Sequence, residues 1–121
     1  MTGSEYQKAA MRTCDVPNIN VRQVLGLSEN DYCKFKHGMY GLVSEIGEAS
    51  GILQKISQGH DWDENHFLKE LGDCLWFIAE LCDAFGVTMD MIMQMNIDKL
   101  KARYPDGFDS EHSLHREEGD I

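Results

Sequence analysis

Four acidic residues stand in two copies of one motif. Val43-Ser44-Glu45-Ile46-Gly47-Glu48-Ala49 aligns, at an offset of 25 residues, with Leu68-Lys69-Glu70-Leu71-Gly72-Asp73-Cys74. Each copy reads apolar, polar, Glu, aliphatic, Gly, acid, small. Acids three residues apart share one face of a helix. On a helical wheel Glu45 and Glu48 sit roughly 70° and 130° from the apolar stripe of their segment, and Glu70 and Asp73 repeat those offsets in the same sense. Two such helices packed antiparallel bring four carboxylates together, where like charges repel and lose hydration. A hard divalent cation resolves that conflict. Mg²⁺, with Mn²⁺ as a substitute, prefers oxygen ligands, and the motif offers oxygen alone. Glu45, Glu48, Glu70 and Asp73 are therefore the candidate metal ligands and the candidate catalytic residues. A solvated acidic face explains one such motif well; two copies with matched phase are harder to explain that way.

These motifs need helices to carry them. From Tyr32 the apolar positions run Tyr32, Phe35, Met39, Leu42, Ile46, Ala49, Leu53 and Ile56, an unbroken alternation of three and four, which is a helical period. Ser28 reads as the N-cap, with Glu29 and Asp31 in the first turn. A helix over about 28–58 would be roughly 45 Å long. Asp63 caps a second helix, in which Phe67, Leu71, Cys74, Ile78, Leu81 and Phe85 repeat the spacing until Gly86. Thr88 caps a third, ending near Arg103 before Tyr104-Pro105-Asp106-Gly107. A short helix over Ser4–Thr13 and a loop through Pro17 and Asn18 precede them. No strand pattern survives, so the class is all-α: a helical bundle with two long antiparallel helices and shorter terminal ones. The first long helix outruns its partners and leaves apolar stripe uncovered, which implies a homodimer or a dimer of dimers.

Glycines and cations near the motifs add detail. Gly38 and Gly41 fall on the side of Glu45 and Glu48, while Gly47 and Gly72 lie inside the motifs. Each costs up to about 1 kcal/mol of helix propensity against Ala, so close approach by a backbone or a ligand is expected there. Lys55 lies two turns beyond Glu48 on its side. Lys99 and Arg103 are four residues apart on the last helix, with Asn96 one turn earlier. Lys55, Asn96, Lys99 and Arg103 form a candidate clamp for phosphate oxygens; helix-end cations favoured by the dipole are the simpler alternative.

Composition bounds the rest. The 121 residues carry 21 acids and 11 bases, a formal charge of −10. From Asp106 onward six acids face one base, Arg116, so this stretch carries −5. That balance argues against a nucleic-acid partner. No apolar run approaches the roughly 18 residues of a membrane span, and no leader pattern is present. Cys14, Cys33, Cys74 and Cys82 are scattered without a Cys-x-x-Cys pair, as expected of reduced thiols in the cytoplasm. The five histidines show neither His-Glu-x-x-His nor Glu-x-x-His, which leaves metalloprotease and di-iron readings without support. Trp62, Trp76, Phe77 and His37 are candidates to stack on a base, although helical spacing favours packing for each. Met89, Met91, Met93 and Met95 read as adaptable packing or subunit contact.

Taken in order, these segments resemble the MazG-like nucleoside triphosphate pyrophosphohydrolases of the all-α NTP pyrophosphatase superfamily. Glu45-x-x-Glu48 followed by Glu70-x-x-Asp73 is similar to that family's metal-binding signature. HGMYGLVSEIGEASGILQK (37–55) resembles its first motif helix and KELGDCLWFIAEL its second. Asn96-x-x-Lys99-Leu100-x-x-Arg103-Tyr104-Pro105-x-Gly107-Phe108 resembles its C-terminal motif. The resemblance implies Mg²⁺ on the four acids, nucleotide contacts from Asn96 and Lys99, and cleavage of a nucleoside triphosphate between the α and β phosphates. It also implies one helical domain over 1–108, with 109–121 an acidic tail. One departure stands out. Several members carry Glu immediately before the first motif Glu, assigned in some as the base; this chain has Ser44, so water activation would fall to the metal or to a ligand carboxylate. A nucleotide- or metal-binding protein without turnover, or a helical interaction module, are the alternatives.

Overall fold

The computed structural model describes residues 1–121. It is 69% helix with no strand. The order is α1 (Gly3–Met11), α2 (Val21–Leu25), α3 (Glu29–Ile56), α4 (Glu64–Ala84), α5 (Met89–Arg103) and α6 (Ser110–Leu114). The three main helices start where their caps dictate. The Ser28 hydroxyl accepts from the Asp31 N–H, the Asp63 carboxylate from His66, and the Thr88 hydroxyl from Met91, each satisfying a donor that the first turn leaves free. α1 begins at Gly3 because Thr2 and Glu5 form a reciprocal capping box, and it closes earlier than the spacing predicts.

Two helices lie where a loop and a tail are expected. α2 spans five residues between an Asn20 cap and Gly26, whose φ of 68° is left-handed. α6 also spans five residues, under an Asp109 cap. Neither is long enough to display a hydrophobic period, so only their caps announce them.

α3 and α4 run antiparallel, and their pairing descends in register. Lys34 Nζ donates to Asp83 at 2.7 Å and His37 Nδ1 to Glu80 at 2.6 Å, Gly41 lies beneath the Phe77 ring, and Glu45 faces Glu70 and Asp73. Phe35 meets Phe85 edge-on at 5.5 Å toward the end of the pair. The seam of α3 is therefore Gly38, Gly41, Glu45, Ala49 and Ile52, of which Gly38, Ala49 and Ile52 are buried. It is rotated by about one residue from the stripe that the hydrophobic period marks. Met39, Ile46 and Leu53, all on that stripe, are exposed. The physical reason is room. A methyl group at Gly38 would collide with Leu81, and one at Gly41 with Phe77, so the two glycines draw α4 onto their own face.

The rotation leaves the chain sparsely covered. Only six of 121 residues are buried. A compact monomer of this mass exposes about 6,600 Å², whereas this chain exposes 9940 Å². The excess is roughly 3,300 Å² per chain, so two copies hiding it against each other would bury about 6,600 Å² in total, at or beyond the upper end of obligate interfaces.

Gly41 and Gly47 should respond oppositely to alanine. Gly41→Ala puts a methyl into the Phe77 ring and is expected to cost about 1–3 kcal/mol by overpacking, exceeding any gain in helix propensity. Nothing lies near a Cβ at Gly47, so Gly47→Ala should stabilise by up to about 1 kcal/mol. Urea denaturation of both variants checks the pair; equal effects would contradict the seam.

Candidate functional site

Helix pairing, not sequence proximity, assembles the acids. One carboxylate oxygen each from Glu45, Glu70 and Asp73 lies within 4.8 Å of the others. Glu48 stands beside this group, close enough for its charge to act on Glu45 and for its carboxyl to act on Glu70, but outside the three that converge. Glu70 lies deeper than the wheel suggests, with its side chain 8% exposed. Glu45 is half-buried and Asp73 exposed.

The electrostatics are those of a crowded, partly dry cluster. Glu45 Oε2 and Glu70 Oε2 are sealed from solvent, and no donor reaches either. A proton retained between them is the internal remedy, and the interaction with Glu70 pushes the Glu45 carboxyl up to about 7, helped by burial and by the charges of Glu48 and Asp73. Glu70 is held below the usual carboxylate range, first by that same interaction with Glu45 and then by His66, against the opposing effect of burial. The Cys74 thiol is pushed up, by burial first and then by the charges of Glu45, Glu70 and Asp73. A divalent cation suits this donor set, because two orphaned buried carboxylate oxygens and a nearby third are what a hard ion needs.

His66 is the residue that the motif alone does not reveal. Its Nε2 donates to Glu70 Oε1 at 2.8 Å, one helical turn before it. A nitrogen thus adjoins the acids without joining them, and the three side chains that converge offer oxygen alone. The signal was present as a His four residues before an acid on a helix, but it matches no metal-binding pattern.

A cavity of about 330 Å³ opens at the cluster, lined by Glu45, Asp73, Trp76 and Phe77. Trp76 is 58% exposed and packs edge-on against Phe77 at 5.1 Å. His37, hydrogen-bonded to Glu80, packs 5.6 Å from Phe77 and lies outside the cavity's lining. Trp62 instead packs on Phe67 at 5.2 Å and lines no part of this cavity.

The cations stand elsewhere. Lys55, Asn96 and Lys99 are exposed, and neither they nor Arg103 line the cavity at the acids. Lys99 and Arg103 border a second cavity of about 480 Å³ between α5 and residues 112–121. Arg103 is already engaged, forked onto both oxygens of Asp120 at 2.8 and 2.6 Å. All four cysteines are free, and no helix is long and apolar enough to cross a membrane.

Comparison with known proteins agrees with this arrangement. A family model described as the MazG nucleotide pyrophosphohydrolase domain matches residues 34–108, which contain all four acids and the α5 cations. The Gene 37 protein of Mycobacterium phage L5 is 32% identical over 68 residues, which cover 52% of this chain and 60% of the phage protein. No solved structure matches the chain.

Without metal, folded Glu45 keeps its proton to about pH 7, against an ordinary value of 4.5. The folded state then binds more protons than the unfolded one across that window, so metal-free stability should fall as pH rises from 4.5 toward 7 and flatten above it. A metal ion must displace that proton. Mn²⁺ affinity is expected to climb up to about pH 7 and then level off, which calorimetric titration between pH 5.5 and 8 would detect; a flat profile would contradict the shared proton.

Proposed function

This chain belongs to the MazG nucleotide pyrophosphohydrolase family, and from that premise we propose that it hydrolyses a nucleoside triphosphate, ribo or deoxy, between the α and β phosphates. The observation that carries the reading is the pair of orphaned oxygens on Glu45 and Glu70 at the wall of an aromatic-lined cavity. Glu45, Glu48, Glu70 and Asp73 are the proposed ligands of Mg²⁺, which Mn²⁺ would replace. When bound, the ion neutralises phosphate charge and acidifies water. In the reaction the oxygen of water attacks the α-phosphorus in line, the bond from that phosphorus to the bridging oxygen breaks, and pyrophosphate leaves with the nucleoside monophosphate as the other product. Ser44 is too weakly basic to take the water proton, so a carboxylate of the cluster is the chain's own acceptor. His66 holds one oxygen of Glu70 and leaves the other turned toward Glu45, the kind of outer contact that orients a ligand. Trp76 and Phe77 supply flat apolar surface on which a base can stack.

The exposed stripe and the excess surface support assembly with a second copy, as a homodimer or a dimer of dimers. Asn96, Lys99, Arg103 and Lys55 are proposed to meet the phosphates within that assembly, since a single chain keeps them off the acidic cavity. Residues 1–108 are the proposed catalytic unit, and four free thiols suit the cytoplasm. Ser44 favours one other reading, a nucleotide- and metal-binding protein without turnover.

With Mg²⁺, at least one triphosphate in a panel of NTPs and dNTPs should yield monophosphate and pyrophosphate, and EDTA should abolish it. Diphosphate with orthophosphate would contradict the bond assignment; binding without release would favour the second reading. Lys99→Ala should lower kcat/KM about 10- to 150-fold, the loss of a charge-assisted hydrogen bond, with metal affinity unchanged. Glu70→Ala should remove metal binding and turnover together. His66→Ala is expected to weaken Mn²⁺ binding about 10- to 100-fold and also to lower metal-free stability by about 1–3 kcal/mol, because a buried carboxylate oxygen loses its donor. If metal affinity survives and only stability falls, the histidine is structural.

A further inference from the structure

We propose that the chain's own Asp120 carboxylate occupies the phosphate-binding face of Arg103 in the cavity between α5 and the C-terminal segment, so that a phosphate group must displace it. It rests on the phosphate contacts proposed for Lys99 and Arg103 and adds the chain's own carboxylate as their competitor; neither turnover nor the metal enters its test. Arg103 presents its guanidinium fork to both Asp120 oxygens at 2.8 and 2.6 Å, the two-point geometry with which the same fork grips phosphate. Its side chain is 9% exposed. Departure of Asp120 frees both N–H groups of the fork for another anion. Lys99 and Arg116 add positive charge at Asp120.

The lining has two electrostatic states. With the segment in place, Glu117, Glu118 and Asp120 outweigh Lys99 and Arg103 around the 480 Å³ cavity. With it withdrawn, the two cations remain on α5 in a protein of net charge −10, and the site turns attractive to anions.

Little else holds the segment down. Phe108, just before the segment, packs on Tyr104 at 5.2 Å, but Leu114 and Ile121 are exposed, α6 has five residues with none buried, and the Asp109–His112 and Glu111–His115 pairs lie within the segment itself. The fork to Asp120 ties the segment to α5 through side chains. One ion pair is displaceable by a competing oxyanion of higher charge.

The test uses the full chain in EDTA, with inorganic pyrophosphate and a non-hydrolysable α,β-methylene triphosphate as separate probes, read by calorimetry and by amide hydrogen exchange. Either probe should speed exchange across 109–121. Asp120→Asn should tighten binding about tenfold or more, because it raises the fraction of molecules with the site open. Asp120→Glu, which keeps the carboxylate, should bind less tightly than Asp120→Asn, and Arg103→Leu should abolish binding in the Asp120→Asn background. Displacement by pyrophosphate assigns a site for the free anion; displacement by the analogue alone assigns it to the phosphates of a nucleotide. Unchanged affinity in Asp120→Asn, with exchange indifferent to both probes, would overturn the proposal and leave the ion pair a fastener. A protein that binds these anions yet never releases pyrophosphate would overturn only the hydrolase reading.

Discussion

Glu70 lies with its side chain 8% exposed in a helix–helix seam, with a second carboxylate, Glu45, across the seam, and most features of the chain follow from that placement. Carboxylates do not gather in a partly dry seam for stability, because each loses hydration and gains a like-charged neighbour. His66 relieves one Glu70 oxygen; the other is left without a donor, and its neighbour Glu45 is pushed up to about 7. What remains is a cluster poised between protonation and metal binding. Membership of a family of nucleotide pyrophosphohydrolases makes metal binding the meaningful alternative.

Backbone approach makes the cluster possible. Gly38 and Gly41 admit Leu81 and Phe77 where any side chain would hold α4 away. Continuing along the same helical face, Glu45 arrives opposite Glu70 and Asp73. The glycines therefore cost helix propensity but set the rotation of α3 about its axis. That rotation also turns Met39, Ile46 and Leu53 outward. A face committed to acids and a face left apolar are two results of one packing choice, which links the candidate site to the surface available for a second copy.

Charge is segregated along the chain in a way that matters for an anionic ligand. The acids converge between α3 and α4, while Lys99 and Arg103 lie at the end of α5, beside a segment rich in acids. Asp120 is held well below the ordinary carboxylate range by Arg103, and Arg103 is raised in turn by Asp120. In a protein with so few bases, engaging one of them internally changes the field that a phosphate group meets.

Local signals sufficed for several features. Ser28, Asp63 and Thr88 cap the helices that their residue types announce, because a cap needs only a side-chain oxygen and the next three residues. The duplicated motif placed Glu45, Glu70 and Asp73 on the faces that converge, because three-residue spacing on a helix is a local geometry, whereas the spacing alone did not show that Glu48 stays outside the three. The two five-residue helices escaped because periodicity needs length. The rotation of α3 escaped because hydrophobic period reports which side is apolar, whereas steric room decides which side packs, and that depends on Phe77 and Leu81 arriving from a distant segment. His66 and Asp120 owe their roles to partners that only packing or chain return supplies: a seam that makes Glu70 need a donor, and a segment that brings Asp120 back to Arg103. Residue types and their helical spacing were determined by the chain alone; which charges are desolvated, paired or left orphaned was decided by tertiary structure, since burial and pairing are properties of neighbours that the linear order does not contain.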